Sequence, residues 1–249
     1  MLNKKIISTT VIEIIFTVLL IFLLVFIREK SLSYLYDIQS YSEDINSLGE
    51  TLATQNLTSY NQEEAGSIVK DFDSILNKAL FLLQFVLPMS IILLSLIFYF
   101  VIWKLINNIS LMKFFLYSIS LLIMLLLTIY FTLSQIAYNY AFIEESPIAW
   151  LLISLFFLII FYYFYLICLS TGKPLKECCK IGIKKLRYLS LFYILNIITN
   201  ALYVLLIFVL FFLSFVGASI IIPSVSLLVV IIVINIQRQH LVKKISKIN

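Results

Sequence analysis

Apolar residues arrive in long runs along this chain, separated by polar stretches of which only one, residues 28–78, is extensive. A helix needs about 20 apolar residues to cross the ~30 Å hydrocarbon layer of a bilayer. Six runs reach roughly that length: 10–27, 79–102, 114–133, 148–169, 189–215 and 220–236. The pattern therefore predicts an all-α, polytopic integral membrane protein with six transmembrane helices. Lys4 and Lys5 ahead of the first run resemble the start of a signal peptide. No small-residue cleavage site precedes Arg28-Glu29-Lys30, so the run reads as a retained anchor.

The polar segment 28–78 has its own periodicity. Tyr34, Ile38, Tyr41, Ile45, Leu48 and Leu52 are spaced 4, 3, 4, 3 and 4 apart, which is a heptad seam. After a polar stretch, Ala65, Ile68, Phe72, Ile75, Ala79 and Leu82 follow at 3, 4, 3, 4 and 3 and run into the second span without a helix breaker. These spacings predict two long helices that leave the membrane and pair as an antiparallel extracytoplasmic hairpin. Such a hairpin has only a narrow seam to bury, and it gains by packing against a further surface. Two tyrosines in the seam favour a partly wet interface, since each phenol needs a hydrogen-bond partner. Residues 31–77 are therefore the expected site of self-association or of docking with a protein partner. A self-contained spacer is the other reading. Asn56-Leu57-Thr58 at the expected tip is a glycosylation sequon, while Asn108-Ile109-Ser110 should lie on the opposite face and be inert.

Charge sets the expected orientation. Of 18 Lys and Arg residues, 14 fall on the side of the two termini, and 11 of the 13 acids fall on the other. Both termini should thus be cytoplasmic, in a multi-pass protein of the cell membrane. The net charge of +5 is then explained by orientation and by attraction to anionic lipid of the cytoplasmic leaflet, with no nucleic-acid partner needed.

Between the fourth and fifth spans, residues 172–187 read as a basic amphipathic helix. At 100° per residue Lys173, Lys176, Lys180, Lys184 and Arg187 share one side, as candidate ligands of lipid headgroups. Leu175, Cys178, Cys179 and Leu186 gather opposite. Docking on a cytoplasmic driver is the rival reading of this helix. Cys178 and Cys179 are adjacent and cannot form a CxxC motif; they read as small apolar positions, with reversible acylation as the alternative. The tail from Gln237, with Leu241, Ile245 and Ile248 at helical spacing, should continue span six along the membrane surface.

With 62% hydrophobic and 12% charged residues, polar side chains inside the spans are few enough to name. Glu13 is the lone ionisable one; it is expected to reach the headgroups or to pair with Lys4, Lys5 or a basic loop residue, with a proton- or cation-binding role as the alternative. Asn196, Thr199 and Asn200 form a cluster in span five, whose two amides share a face and must find partners inside the bundle. Gln84 and Pro88 could open backbone groups in span two.

The single histidine, His240, sits in the polar tail, which leaves no histidine for a triad or metal site within the spans. Phosphate-loop, GxSxG and HExxH motifs are missing as well. The expectation is a non-catalytic protein without cofactor or metal, acting as an assembly or interaction component through its hairpin. The alternative is a permease subunit or small transporter, with Asn196 and Asn200 lining the path and the basic loop contacting a driver.

Overall fold

The computed structural model describes residues 2–54, 59–142, 147–216 and 220–246, and these are helical almost throughout, with no strand among them. The elements are α1 (Leu2–Thr54), α2 (Ser59–Phe81), α3 (Leu87–Asn107), α4 (Leu111–Phe142), α5 (Pro147–Thr171), α6 (Leu175–Lys184), α7 (Leu186–Val216) and α8 (Ile221–Ser246). Five helical stretches are long and apolar enough to cross a membrane, and α5 with α6, bent by 110° at the break between them, makes a sixth if the pair counts as one span. The fold is therefore all-helical, with five to six membrane-spanning candidates.

The chain forms two compact units, Phe16–Ser95 on the one hand and Met1–Ile15 with Leu96–Asn249 on the other. In the first, the apolar run of α1 passes without interruption into the first heptad series, because nothing before Gly49 disfavours a helix. Tyr34, Ile38 and Tyr41 are half-buried, as are Ile68, Phe72, Ile75, Ala79 and Leu82. The side chains of Ile45, Leu48 and Leu52 lie outside the described residues, as does Asn56. Between α2 and α3 the helix widens into a π turn over Leu82–Val86, closed by Leu87 N–H donating to the Leu82 carbonyl. Pro88 follows one residue later; it has no N–H to give to Gln84, and a widened turn accommodates that loss.

In the second unit the core gathers at the end where the basic connections lie. Ile102, Trp103, Ile106, Phe114, Ile167, Leu169, Cys178, Leu189 and Ile245 are buried together there. The connections are short, and their backbone is specified by residue type. Asn108 ends α3 in the left-handed region at φ 51°, a conformation that asparagine tolerates. Gly172 ends α5 at φ 64°, its N–H donating to the Cys168 carbonyl at 2.8 Å, and Pro174 prevents continuation. The carbonyls left open at the end of α5 are taken by side chains from α3 and α4. Asn107 Nδ2 donates to Leu169 O and Ser170 O at 2.9 and 2.8 Å, Lys113 Nζ to Gly172 O at 2.8 Å, and Tyr117 OH to Lys173 O at 2.7 Å.

The basic helix is shorter than the sequence implied. It covers Leu175–Lys184; residues 172–174 are the turn that the glycine and proline impose, and Lys185, at φ −114° and ψ 15°, separates it from α7, which carries Leu186 and Arg187. The apolar face also divides differently. Cys178 and Gly182 are buried against α5, where a Cβ on Gly182 would come within 2.9 Å of both Ile167 and Phe164, while Leu175 and Leu186 are exposed. Gly182 interrupts no helix here; it allows α6 to approach the aromatic side chains of α5 closely.

Candidate functional site

Two polar clusters lie inside the second unit. The first joins the beginning of α1 to α8. Glu13 is 1% exposed, and its Oε2 accepts from Arg238 Nη1 at 2.8 Å and from Asn235 Nδ2 at 2.6 Å; Asn235 and Arg238 are 0% and 4% exposed. Asn235 and Arg238 are three apart on α8 and so point to the same side. Asn235 Nδ2 also donates to the Ile231 carbonyl at 3.0 Å, and the Arg238 guanidinium lies over the Tyr99 ring, 5.1 Å from its centre. One helical turn before Glu13, Thr9 is buried with its hydroxyl returned to the Lys5 and Ile6 carbonyls, and Lys5 Nζ donates to Ile106 O at 3.3 Å.

From the sequence, Glu13 is expected to reach the headgroups or to pair with Lys4, Lys5 or a basic loop residue; the basic partner in the structure is Arg238 of α8. Arg238 is not a solvated tail residue. It occupies α8 two positions past the expected end of span six, and α8 continues to Ser246. Asn235 was passed over. Its signal was available: it is the last polar residue within an otherwise aliphatic run, one turn before an arginine.

The second cluster is neutral and joins α5, α7 and α8. Asn196 Oδ1 accepts from Tyr162 OH at 2.9 Å and from Asn200 Nδ2 at 3.0 Å. Asn200 Nδ2 also lies 2.6 Å from the Asn196 carbonyl and 3.4 Å from Tyr162 OH. Thr199 Oγ1 lies within bonding distance of Gln237 Oε1 at 2.8 Å and of the Leu195 and Asn196 carbonyls. Asn196, Thr199 and Asn200 are thus brought together as their spacing implied, and the partners Tyr162 and Gln237 come from other helices. The adjacent cleft, lined by Tyr163, Phe192, Tyr193, Asn196, Gln237 and Leu241 among others, has room for about one water-sized group.

The five basic candidates do not form one site. Lys176, Lys180 and Lys184 project from the exposed side of α6, Lys173 sits in the preceding turn 3.9 Å from Glu177, and Arg187 belongs to α7. On the buried side of α6, Cys178 donates to Lys173 O at 3.1 Å and lies 3.3 Å from Thr171 Oγ1. Hydrogen bonding with Cys168 holds the Cys178 thiol below its ordinary range, against the opposing effect of burial. Among the described residues, no three His, Cys, Asp or Glu side chains come together as a metal site.

Chemically, the carboxylate of the first cluster is neutralised by a guanidinium and the amides of the second are engaged with one another. Both arrangements join helices. Together with the apolar helices, they define the class: a helical protein with five to six candidate membrane spans and two polar clusters bonded between helices. No family model, curated protein or solved structure matches the chain.

Proposed function

We propose that this protein is a non-catalytic, multi-pass component of the cell membrane that assembles with a protein partner or a second copy of itself through the hairpin between its first two spans. In this reading six helices cross the bilayer, both termini are cytoplasmic, and residues 28–78 face outward. The observation that carries it lies in the unit Phe16–Ser95. Tyr34, Ile38 and Tyr41 on α1 and Ile68, Phe72 and Ile75 on α2 are half-buried, yet Leu35, Tyr36, Val69 and Leu76 remain exposed on the same two helices. This stretch also carries Asp37, Lys70, Asp71 and Asp73, charges that hydrocarbon does not accommodate. In this reading such large apolar side chains stand clear of membrane and seam alike, and a protein interface would use them.

The paired state of the intramembrane polar groups supports this reading over a transporter. A path lined by Asn196 and Asn200 would draw on their amides, and Asn196 Oδ1 and Asn200 Nδ2 are already engaged with Tyr162 and with each other, beside a cleft with room for about one water-sized group.

The test is cross-linking mass spectrometry on full-length protein purified in mild detergent, compared with Leu35→Glu/Val69→Glu. Cross-links from residues 31–77 to a partner or a second copy, lost in the variant while the spans still insert, are the expected result. A native mass and cross-link map unchanged by the substitutions would sink the proposal.

A further inference from the structure

The helix α6 presents three successive faces around its circumference. At 100° per residue and counting from Leu175, Cys179 and Ile183 follow at about 40° and 80°, then Lys176, Lys180 and Lys184 at about 100°, 140° and 180°. Glu177 follows at about 200°, beside Lys184 and 3.9 Å from Lys173 of the preceding turn, and Ile181, Cys178 and Gly182 complete the circumference at about 240°, 300° and 340°. Burial agrees with this order. Cys178 and Gly182 are packed on α5, Leu175 and Ile183 are 55% and 71% exposed, and the three lysines are exposed. The circumference thus passes from protein through bare aliphatic surface to positive charge.

The orientation of α6 is held from several sides. It turns through 110° from α5, so it lies 20° beyond a right angle to that helix. The bend is secured by Gly172 and Pro174, by the Lys113 and Tyr117 hydrogen bonds to the turn, and by Tyr163 OH donating to the Gly182 carbonyl at 3.0 Å. If α5 crosses the bilayer, α6 lies close to the membrane plane at its end.

We propose that α6 is a membrane-surface helix that binds the headgroups of anionic phospholipids, with Leu175, Cys179 and Ile183 entering the acyl boundary and Lys176, Lys180 and Lys184 holding lipid phosphates. A helix at this boundary needs its apolar and cationic arcs side by side, so that one can sink while the other stays among the headgroups. Ten residues, about 15 Å, give the three lysines a span of about two turns, enough for more than one headgroup. Leu175 and Ile183 are the anchors, and Cys178, which the sequence pattern grouped with Leu175, Cys179 and Leu186, belongs to the protein-facing side. The inference rests on α5 crossing the membrane and is independent of the hairpin reading.

The full-length protein is purified in mild detergent and titrated with phosphatidylglycerol or phosphatidylcholine, and retained lipid is counted by native mass spectrometry. Phosphatidylglycerol should be retained preferentially. Each Lys→Gln change at 176, 180 and 184 should weaken its retention about fivefold, as surface lysines near anionic lipid do. Inorganic phosphate in excess should leave the bound lipid in place. In parallel, spin labels at Ile183→Cys and Lys180→Cys, each in a Cys179→Ser background, are read in vesicles of phosphatidylcholine and phosphatidylglycerol without other protein. The label at 183 should relax faster with oxygen than with an aqueous nickel chelate, and the label at 180 the reverse. Equal retention of the two lipids overturns the proposal, and displacement by phosphate reassigns the lysines to a free anion. An aqueous signal at 183 also overturns it, as would hold if the aliphatic arc awaited a soluble protein.

Discussion

The two polar clusters of the second unit solve the same problem in different ways. Around Glu13 a full charge is buried, and its partners Arg238 and Asn235 both come from α8. Around Asn196 every group is neutral, and the partners come from α5, from α8 and from the next turn of α7. A buried ion pair barely repays its own desolvation while intact, but removing one member strands the other charge. The neutral cluster is redundant: without the Asn196 amide, Asn200 Nδ2 still has the Asn196 backbone carbonyl within reach. The charged cluster therefore behaves as one unit and the neutral cluster as a set of separate small contributions.

Substitutions test that contrast, with the midpoint of SDS-induced unfolding in micelles as the readout. The largest effect is expected for Arg238→Leu, which leaves the Glu13 carboxylate buried and should cost about 3 to 5 kcal/mol. Glu13→Leu combined with Arg238→Leu should recover most of that loss. A double variant as damaged as the single one would show that the pair is needed for more than mutual neutralisation. Asn235→Leu removes a hydrogen bond to a charged oxygen and should cost about 1.5 to 3 kcal/mol, less than the arginine because the ion pair survives. In the neutral cluster, Asn196→Leu should cost about 0.6 to 2 kcal/mol, the range of interhelical polar contacts in membranes. A value as large as that for Arg238 would erase the distinction between the clusters. Lys173→Gln supplies the lower reference: its ion pair with Glu177 is exposed at 3.9 Å, and the midpoint should move by no more than about 0.5 kcal/mol.

Legibility in the sequence followed the range of the interaction. The helical class, the presence of several long apolar helices, the continuous exit of α1 from its apolar run and the shared face of Asn196 and Asn200 were all readable, because each rests on residues within a few turns of one another. Pro88 and Gln84 marked the place where the helix widens. The limits of α6 were less readable, since Gly182 looked like a weak point of the helix and its purpose, close contact with Phe164 and Ile167, depends on another helix. The burial of Arg238 was hidden for a related reason. Charge counting by loop treats every arginine near a span end as solvated, and it cannot register a carboxylate 225 positions away in the chain.

Composition and periodicity by themselves determined that this chain is helical, rich in candidate membrane spans, asymmetric in charge, and provided with an amphipathic basic segment after its fourth apolar run. These are properties of hydration and of the 3.6-residue turn, both local. Long-range packing alone sets which polar groups neutralise one another, that Cys178 faces protein while Leu175 and Ile183 remain uncovered, and that α6 lies across the axis of α5. Such outcomes depend on which side chains from distant segments meet, and burial makes the energy of a charge or an amide depend almost wholly on that meeting.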